Sequence, residues 1–211
     1  MLQQYHIEIC QRALTERFSP RTLGIVIEAN LGQDKLQGQF GHPEFHFDHN
    51  AFDAGYAYIE RQRCIILDSL GDSKVDVAWQ AFGRLIHTAQ DFYAHSNYLS
   101  LWADSFPKGK LPAPSQVAAL DAKFLNHPQL ASGKIYLWDW LAFVPGLHDL
   151  AMRILPKDSH GYMNLDHPGR GALFPYVFEA AVQRTVHEFE TISSIIQQKL
   201  GDRFLSLFLD R

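Results

Sequence analysis

The feature that most constrains the fold is a polar stripe within the stretch 85–98. His87, Asp91 and His95 recur every fourth residue, which places them on one face of an α-helix over about two turns. Apolar residues give the same helix a hydrophobic flank: Phe82, Leu85, Ile86, Ala89 and Phe92. Two imidazoles and a carboxylate on one face suit a borderline-soft divalent ion, above all zinc. The alternative, a solvated polar face, is disfavoured by the adjoining apolar run.

Helical periodicity covers most of the remaining chain and predicts an all-α single domain over residues 1–211. The first expected helix covers 3–16, and the second starts at Ser19-Pro20 and includes 23–29. Further helices are expected at 50–70, at 74–101 with Ser73 as N-cap, at 146–154 and at 171–200. A short apolar tail at 203–211 is expected to dock on the domain. Residues 103–135 are rich in proline and glycine and predict an irregular insertion, with one short helix at 116–124. No stretch shows strand alternation with hairpin turns.

Composition and missing motifs exclude several function classes. The net charge of −4 argues against gripping nucleic acid by bulk charge, so no stable nucleic-acid complex is expected. Two cysteines form no disulfide framework, and neither a G-x-S-x-G elbow nor a glycine-rich phosphate loop occurs. The chain lacks a signal peptide at its start and an apolar run of membrane-spanning length. We therefore expect a cytoplasmic protein, or a secreted one if an upstream leader has been removed.

Two polar loops supply further ligand candidates. The segment 41–49 contains three histidines, among them His46, and the carboxylate Asp48; the alternative is a solvent-exposed turn. The segment 159–169 contains His160 and Asp166, and Asp166 could equally be the N-cap of the last helix.

Other candidates depend on what lies near them. Asp34 stands on the polar connection before 41–49 and could reach the same place. His6 gains weight only by joining a set of ligands. His187 and Glu190, three residues apart, are expected to form a solvated pair.

Three motifs carry a family resemblance: His46-Phe-Asp48, His87-x-x-x-Asp91-Phe-Tyr-Ala-His95-Ser-Asn97, and His160-Gly-Tyr-Met-Asn-Leu-Asp166. They resemble the Het-C family, which is similar to the zinc-dependent phospholipases C and single-strand nucleases. The resemblance implies an all-helical domain of the zinc-dependent phospholipase C type, with two or three zinc ions in a cleft. The metal ligands it implies are His6, Asp34, His46, His87, Asp91, His95 and His160, with Asp91 as a bridging, catalytic carboxylate.

The function expected from this resemblance is a zinc-dependent phosphoesterase, most like a phospholipase C, that uses metal-bound hydroxide on a phospholipid or nucleotide. The alternative is a non-catalytic, metal-stabilised recognition or incompatibility protein, which closed coordination would favour. An HD-type phosphohydrolase is a weaker option, because the helix with the polar stripe has no adjacent His-Asp pair and the segments around the pair His148-Asp149 do not fit. Asp48, Asn97 and Asp166 could orient the imidazoles. Aromatic residues could line a cleft or fill the core: Tyr93, Tyr98, Trp102, Trp138 and Trp140.

Overall fold

The computed structural model describes residues 1–35, 38, 41–136, 139 and 154–210. In chain order the helices of this part of the chain are α1 (Gln3–Leu14), α2 (Pro20–Leu31), α3 (Pro43–His46), α4 (Phe52–Gly71), α5 (Val75–His95), α6 (Tyr98–Ala103), α7 (Ala122–Leu125), α8 (His160–Met163), α9 (Phe174–Leu200) and α10 (Asp202–Leu209). The extended pairing found there consists of two isolated bridges, Ser96–Ser132 and Lys134–Ser159. The predicted all-α class is therefore confirmed.

Helix α5 is the centre of the fold. It packs against α2, α4 and α9, which surround it. Phe82 and Leu85 are fully buried, as the predicted apolar flank requires, but His87 and Asp91 are fully buried as well. A helix enclosed on its polar side must satisfy its polar groups within the protein. The stripe therefore faces an internal site, and the alternative of a solvated face is wrong.

The central helix is shorter than its periodicity predicts. It ends at His95, and a separate helix begins at Tyr98. Asn97 explains the break, because its N–H donates to the Ala131 carbonyl and its side-chain oxygen accepts from the Ala131 N–H. At the other end, Ser73 is not the N-cap; it adopts a left-handed conformation (φ 60°), and the helix begins at Val75.

The predicted irregular insertion 103–135 is mostly irregular. A 3₁₀ turn (Pro114–Gln116) and α7 replace the expected helix at 116–124. Two tyrosine hydroxyls of the central region attach it: Tyr93 donates to the Ala119 carbonyl at 2.6 Å, and Tyr98 donates to the Ala118 carbonyl. Both tyrosines are completely buried, so they belong to the core and do not line a cleft.

Trp102 is also a core residue, at 3% exposure. Trp138, Trp140, the pair His148-Asp149 and most of the predicted helix 146–154 lie outside the described residues. The C-terminal segment docks as predicted: it forms α10, whose Phe208 is fully buried and accepts a hydrogen bond from the Trp79 indole N–H at 2.8 Å. Among the helices of the described part, none is long and apolar enough to cross a lipid bilayer.

Gly83 permits the close crossing of α2 and α5. A Cβ at this position would lie 2.8 Å from the Cβ of Ala29 and closer still to the Val26 carbonyl oxygen. We expect Gly83→Ala to destabilise the domain by about 1–3 kcal/mol, because the backbone of α2 must move. Urea denaturation measures this. The control, Gly24→Ala, adds a Cβ that meets nothing within 4 Å and should be neutral or stabilising; equal losses in both variants would contradict the prediction.

Candidate metal centre

Four predicted ligands converge in one buried group, named here the inner cluster: Asp34, His46, His87 and Asp91. Each offers one ligand-type atom, and these atoms lie within 4.8 Å of one another. Asp91 Oδ2 lies 2.9 Å from His46 Nδ1 and 3.1 Å from His87 Nε2. His87 Nε2 in turn lies 3.2 Å from His46 Nδ1 and 3.6 Å from Asp34 Oδ1. Three segments distant in sequence thus meet at one point.

His6 of α1 stands beside this cluster. Its ring stacks on the His87 ring with centroids 4.4 Å apart, and its Nε2 lies 3.2 Å from Asp91 Oδ1. Within the described part of the chain, His6 Nε2 and Asp34 Oδ2 are buried atoms without a hydrogen-bond partner. Buried polar atoms are normally paired, so two unpaired acceptor-type atoms beside the inner cluster fit a site for a cation.

A second group, named here the outer cluster, contains Asp48, His95 and His160. Asp48 Oδ1 lies 2.8 Å from His160 Nδ1 and 3.6 Å from His95 Nδ1. Asp166 adds a carboxylate, with Oδ1 3.2 Å from His95 Nε2. The side chains of His160 and Asp166 are 15% and 13% exposed, so this cluster lies nearer to solvent.

Asp91 stands between the two clusters. Its Oδ2 faces the inner cluster, while its Oδ1 lies 4.0 Å from His95 Nε2. The α-amino group of Met1 donates to Asp91 Oδ1 at 2.7 Å and lies 3.2 Å from Asp166 Oδ1. The position of Asp91 is compatible with the predicted bridging role, which stays a prediction.

A strained turn directs two neighbouring residues to different clusters. His46 ends α3 and points to the inner cluster, whereas Asp48 points to the outer one. Phe47 between them is fully buried and adopts a left-handed conformation (φ 58°). A Cβ at Gly55 would lie 2.5 Å from the Phe47 ring, so this glycine makes room for it. Strain of this kind persists where packing enforces it and is common at functional sites.

Burial and charge set the protonation of the centre. Burial lowers the pKa of His87 to about 4, so this imidazole is neutral at pH 7. Burial alone would raise the pKa of Asp91, but the Met1 amine and the nearby His95 and His87 hold it well below its usual range. Asp91 is therefore an anion whose Oδ2 faces a neutral imidazole nitrogen at 3.1 Å.

Some predicted roles change in the structure. Asp48, expected to support ligands, is itself a member of the outer cluster. Asp166 contacts His95 Nε2 at 3.2 Å, as a residue that orients the imidazole would. Asp166 is not the N-cap of α9, which begins at Phe174 behind Leu173. Asn97, also expected to orient an imidazole, instead binds backbone groups of residues 129 and 131.

The remaining histidine candidates lie apart from the clusters. His42 and His49 of the loop 41–49 belong to neither group. His187 and Glu190 are exposed, as expected, but the predicted pairing between them is wrong: Glu190 pairs with Arg17, and His187 Nε2 lies 3.5 Å from Thr191 Oγ1.

Sequence reasoning missed the residues behind the histidines. Gln90 Oε1 lies 2.6 Å from His6 Nδ1, and Asn30 Oδ1 lies 3.3 Å from His87 Nδ1. Thr185 of α9 binds Gln90 in turn. The position of Gln90 beside Asp91 was the one available signal; Asn30 and Thr185 reach the site only through helix packing.

Comparison with known proteins places these clusters in a family context. Two relatives, each described as "von Willebrand factor A domain-containing protein 7", match part of the chain. The protein from Rattus norvegicus is 34% identical over 79 residues, which is 37% of this chain and 9% of the relative. The protein from Homo sapiens is 31% identical over 133 residues, or 57% of this chain and 14% of the relative. The matches thus span a small part of the relatives' length.

These findings correct two predictions. The Het-C-like assignment is wrong, because the family match is to a different family. The phospholipase C-like phosphoesterase function and its hydrolase description are wrong as well, because the relatives are named as von Willebrand factor A domain-containing proteins. No solved structure matches the chain, so the phospholipase C type of fold is not confirmed.

The family that does match is described as "VWA7 N-terminal domain" and covers residues 3–122. This stretch is more than half of the chain. The matched stretch includes the whole inner cluster and His6. His160 of the outer cluster and the neighbouring Asp166 lie after it in the sequence. The chain therefore belongs to the VWA7 N-terminal domain family.

Proposed function

We propose that this domain binds zinc, or a similar divalent ion, at the inner cluster, and that the ion links the helices around α5. The observation that carries the proposal is the set of four converging ligand atoms beside two buried, unpaired ones, His6 Nε2 and Asp34 Oδ2. A cation among them would satisfy atoms that the protein itself leaves without hydrogen bonds.

The spacing of the donors fits zinc. Tetrahedral coordination with bonds of 2.0–2.2 Å places neighbouring ligand atoms about 3.4 Å apart. The distances around His87 Nε2 are 3.1 Å to Asp91, 3.2 Å to His46 and 3.6 Å to Asp34. Imidazole nitrogens combined with carboxylate oxygens are also the donor set that zinc accepts, whereas magnesium and calcium prefer oxygen alone.

The inner cluster has the character of a structural site. Its four ligands and His6 offer more donors than tetrahedral zinc requires. The side chains are nearly inaccessible: Asp34 is the most exposed, at 11%. Closed, dry coordination favours a metal that stabilises the fold over one that activates water. We therefore propose a metal-stabilised helical domain.

The outer cluster is proposed as a second, more open position. Asp48, His95 and His160 supply three donors. Asp166 is not one of them, because it approaches His95 at Nε2, whereas Asp48 approaches the same ring at Nδ1. Three protein ligands with partial exposure leave room for a further ligand from solvent or a partner. Enzymatic activity and cytoplasmic location stay predictions from the sequence.

Metal content and thermal unfolding test the proposal. Protein purified without chelator should contain zinc by elemental analysis. Adding zinc to chelator-treated protein at about 100 times its Kd should stabilise the fold by about 2.7 kcal/mol, which raises Tm by about 5–11 °C for a chain of this size. Magnesium at the same concentration is the control and should have no effect. The proposal is refuted if the purified protein contains no metal and its Tm does not change when zinc is added.

A further inference from the structure

A chain of buried hydrogen bonds leads from α9 to the inner cluster. It starts at Thr185, passes through Gln90 of α5 and divides to His6 of α1 and Asn30 of α2. All four side chains are completely buried. Carbonyl groups can only accept hydrogen bonds. The direction of the first hydrogen bond, made by Thr185 to a carbonyl, therefore fixes the direction of the bonds that follow.

The first member is the Thr185 hydroxyl. Its oxygen lies 2.8 Å from the Ala181 carbonyl oxygen, so the hydroxyl hydrogen donates there. The same oxygen lies 3.0 Å from Gln90 Nε2 and must accept from it. The amide nitrogen of Gln90 therefore faces α9, and a second contact, to Cys10 Sγ at 3.6 Å, agrees with this orientation.

The Gln90 oxygen consequently faces the metal side. It lies 2.6 Å from His6 Nδ1 and 3.1 Å from Asn30 Nδ2, and it accepts from both. Because the side-chain nitrogen of Asn30 donates to Gln90, the Asn30 oxygen Oδ1 faces His87 Nδ1 at 3.3 Å and accepts from it. Both imidazoles thus carry a proton on Nδ1.

The opposite nitrogens of the two rings are then free to bind a metal. His6 Nε2 and His87 Nε2 both lie near Asp91 carboxylate oxygens, at 3.2 Å and 3.1 Å, and His6 Nε2 makes no hydrogen bond within the described part of the chain. A free neutral imidazole favours the other tautomer, with the proton on Nε2, which would block these lone pairs. In a neutral imidazole, the hydrogen bond that one ring nitrogen makes determines which of the two nitrogens carries the proton. Here the acceptors at Nδ1 hold the proton there and leave Nε2 unprotonated.

We propose that Thr185, Gln90 and Asn30 form a tautomer relay, a set of positioning residues that hold His6 and His87 with Nε2 unprotonated and ready to bind a divalent ion. The relay rests on the proposed metal function. It also explains why a glutamine and an asparagine are fully buried beside the cluster, since each polar atom they contribute takes part in a directed bond.

The first test needs no metal. In chelator-treated wild-type protein at pH 8, ¹H–¹⁵N long-range NMR correlations should show His6 and His87 as Nδ1–H tautomers. An Nε2–H tautomer at either ring would overturn the proposal, whether or not the protein binds zinc.

The second test measures zinc affinity by competition with a chromophoric chelator. Gln90→Met removes the acceptor at similar volume and should weaken zinc binding by about 10–100-fold, as for residues that orient ligands. Gln90→Glu keeps an acceptor for His6 and should restore most of the affinity. The control, Gln62→Met, changes another buried glutamine, which accepts from Arg84 Nε at 3.0 Å, and should leave zinc binding unchanged.

The outcomes separate the two proposals. Wild-type protein that binds no zinc refutes the proposed function, whatever its tautomers. Wild-type protein that binds zinc while folded Gln90→Met binds it equally well refutes the relay. Should Gln90→Met fail to fold, Thr185→Val decides: it touches neither imidazole, yet should shift His6 towards the Nε2–H tautomer and weaken zinc binding.

Discussion

Asp91→Asn is expected to weaken zinc binding by more than about 100-fold, beyond the usual effect of changing a residue that only supports ligands. Asp91 lies within 3.2 Å of ring nitrogens on His6, His46 and His87. The amide removes the negative charge that attracts the ion, and its nitrogen can hydrogen-bond an imidazole lone pair that would otherwise bind metal. Isothermal titration of chelator-treated protein with zinc measures the loss.

The matched control is Asp53→Asn, which removes a carboxylate from an exposed position in the first turn of α4. It should bind zinc as wild type does. If Asp91→Asn folds and retains wild-type affinity, the inner cluster is not the metal site. Circular dichroism should show the same helix content in all three proteins, because asparagine preserves the shape of the side chain.

Glu188→Ala is expected to destabilise the domain by about 3–5 kcal/mol, the cost of breaking a buried ion pair from one side. Glu188 is completely buried on α9; it accepts from Arg184 Nε at 2.7 Å and pairs with Arg63 of α4. Alanine would leave the Arg184 guanidinium, 8% exposed, without this carboxylate, and would leave Arg63 with only its exposed partner Glu60. Thermal unfolding should show Tm lower by about 6–20 °C.

Glu190 on the same helix provides the control. Its pair with Arg17 is 3.4 Å long and largely exposed, so Glu190→Ala should cost no more than about 1 kcal/mol. Comparable losses in the two variants would show that the buried pair contributes nothing special.

Acid should act on Glu188 in a predictable direction. Burial raises the pKa of this carboxyl, but Arg184 and Arg63 outweigh it and hold the pKa below 4.5. A lowered pKa in the folded state contributes stability above pH 4.5, and this contribution is lost as pH falls through the folded-state value. Glu188→Ala should therefore flatten the decline of stability with acid below pH 4.5 relative to wild type.

Local sequence pattern was sufficient to locate the long helices and the stripe on α5, but not the short helices α3 and α8, which lie in segments predicted as loops. The period of apolar residues specifies which face of a helix is buried, and His87, Asp91 and His95 share a face because four residues make about one turn. The end of α5 at His95 was not predictable, since the break depends on Asn97 pairing with Ala131, a residue more than thirty positions away. Hydrogen bonds to residues distant in sequence can thus determine where a helix ends.

The sequence by itself determined an all-α chain with polar loops that carry histidine and aspartate. Only the tertiary structure decided that Asp34 and His46 reach His87, and that Asp48 belongs to the outer cluster. The physical reason is that residue type and spacing constrain neighbours within a helix turn, whereas a site assembled from separate segments depends on packing. The orientation of buried amides such as Gln90 depends even more on tertiary packing. The group that the fold places opposite each amide atom decides whether a donor or an acceptor must face it.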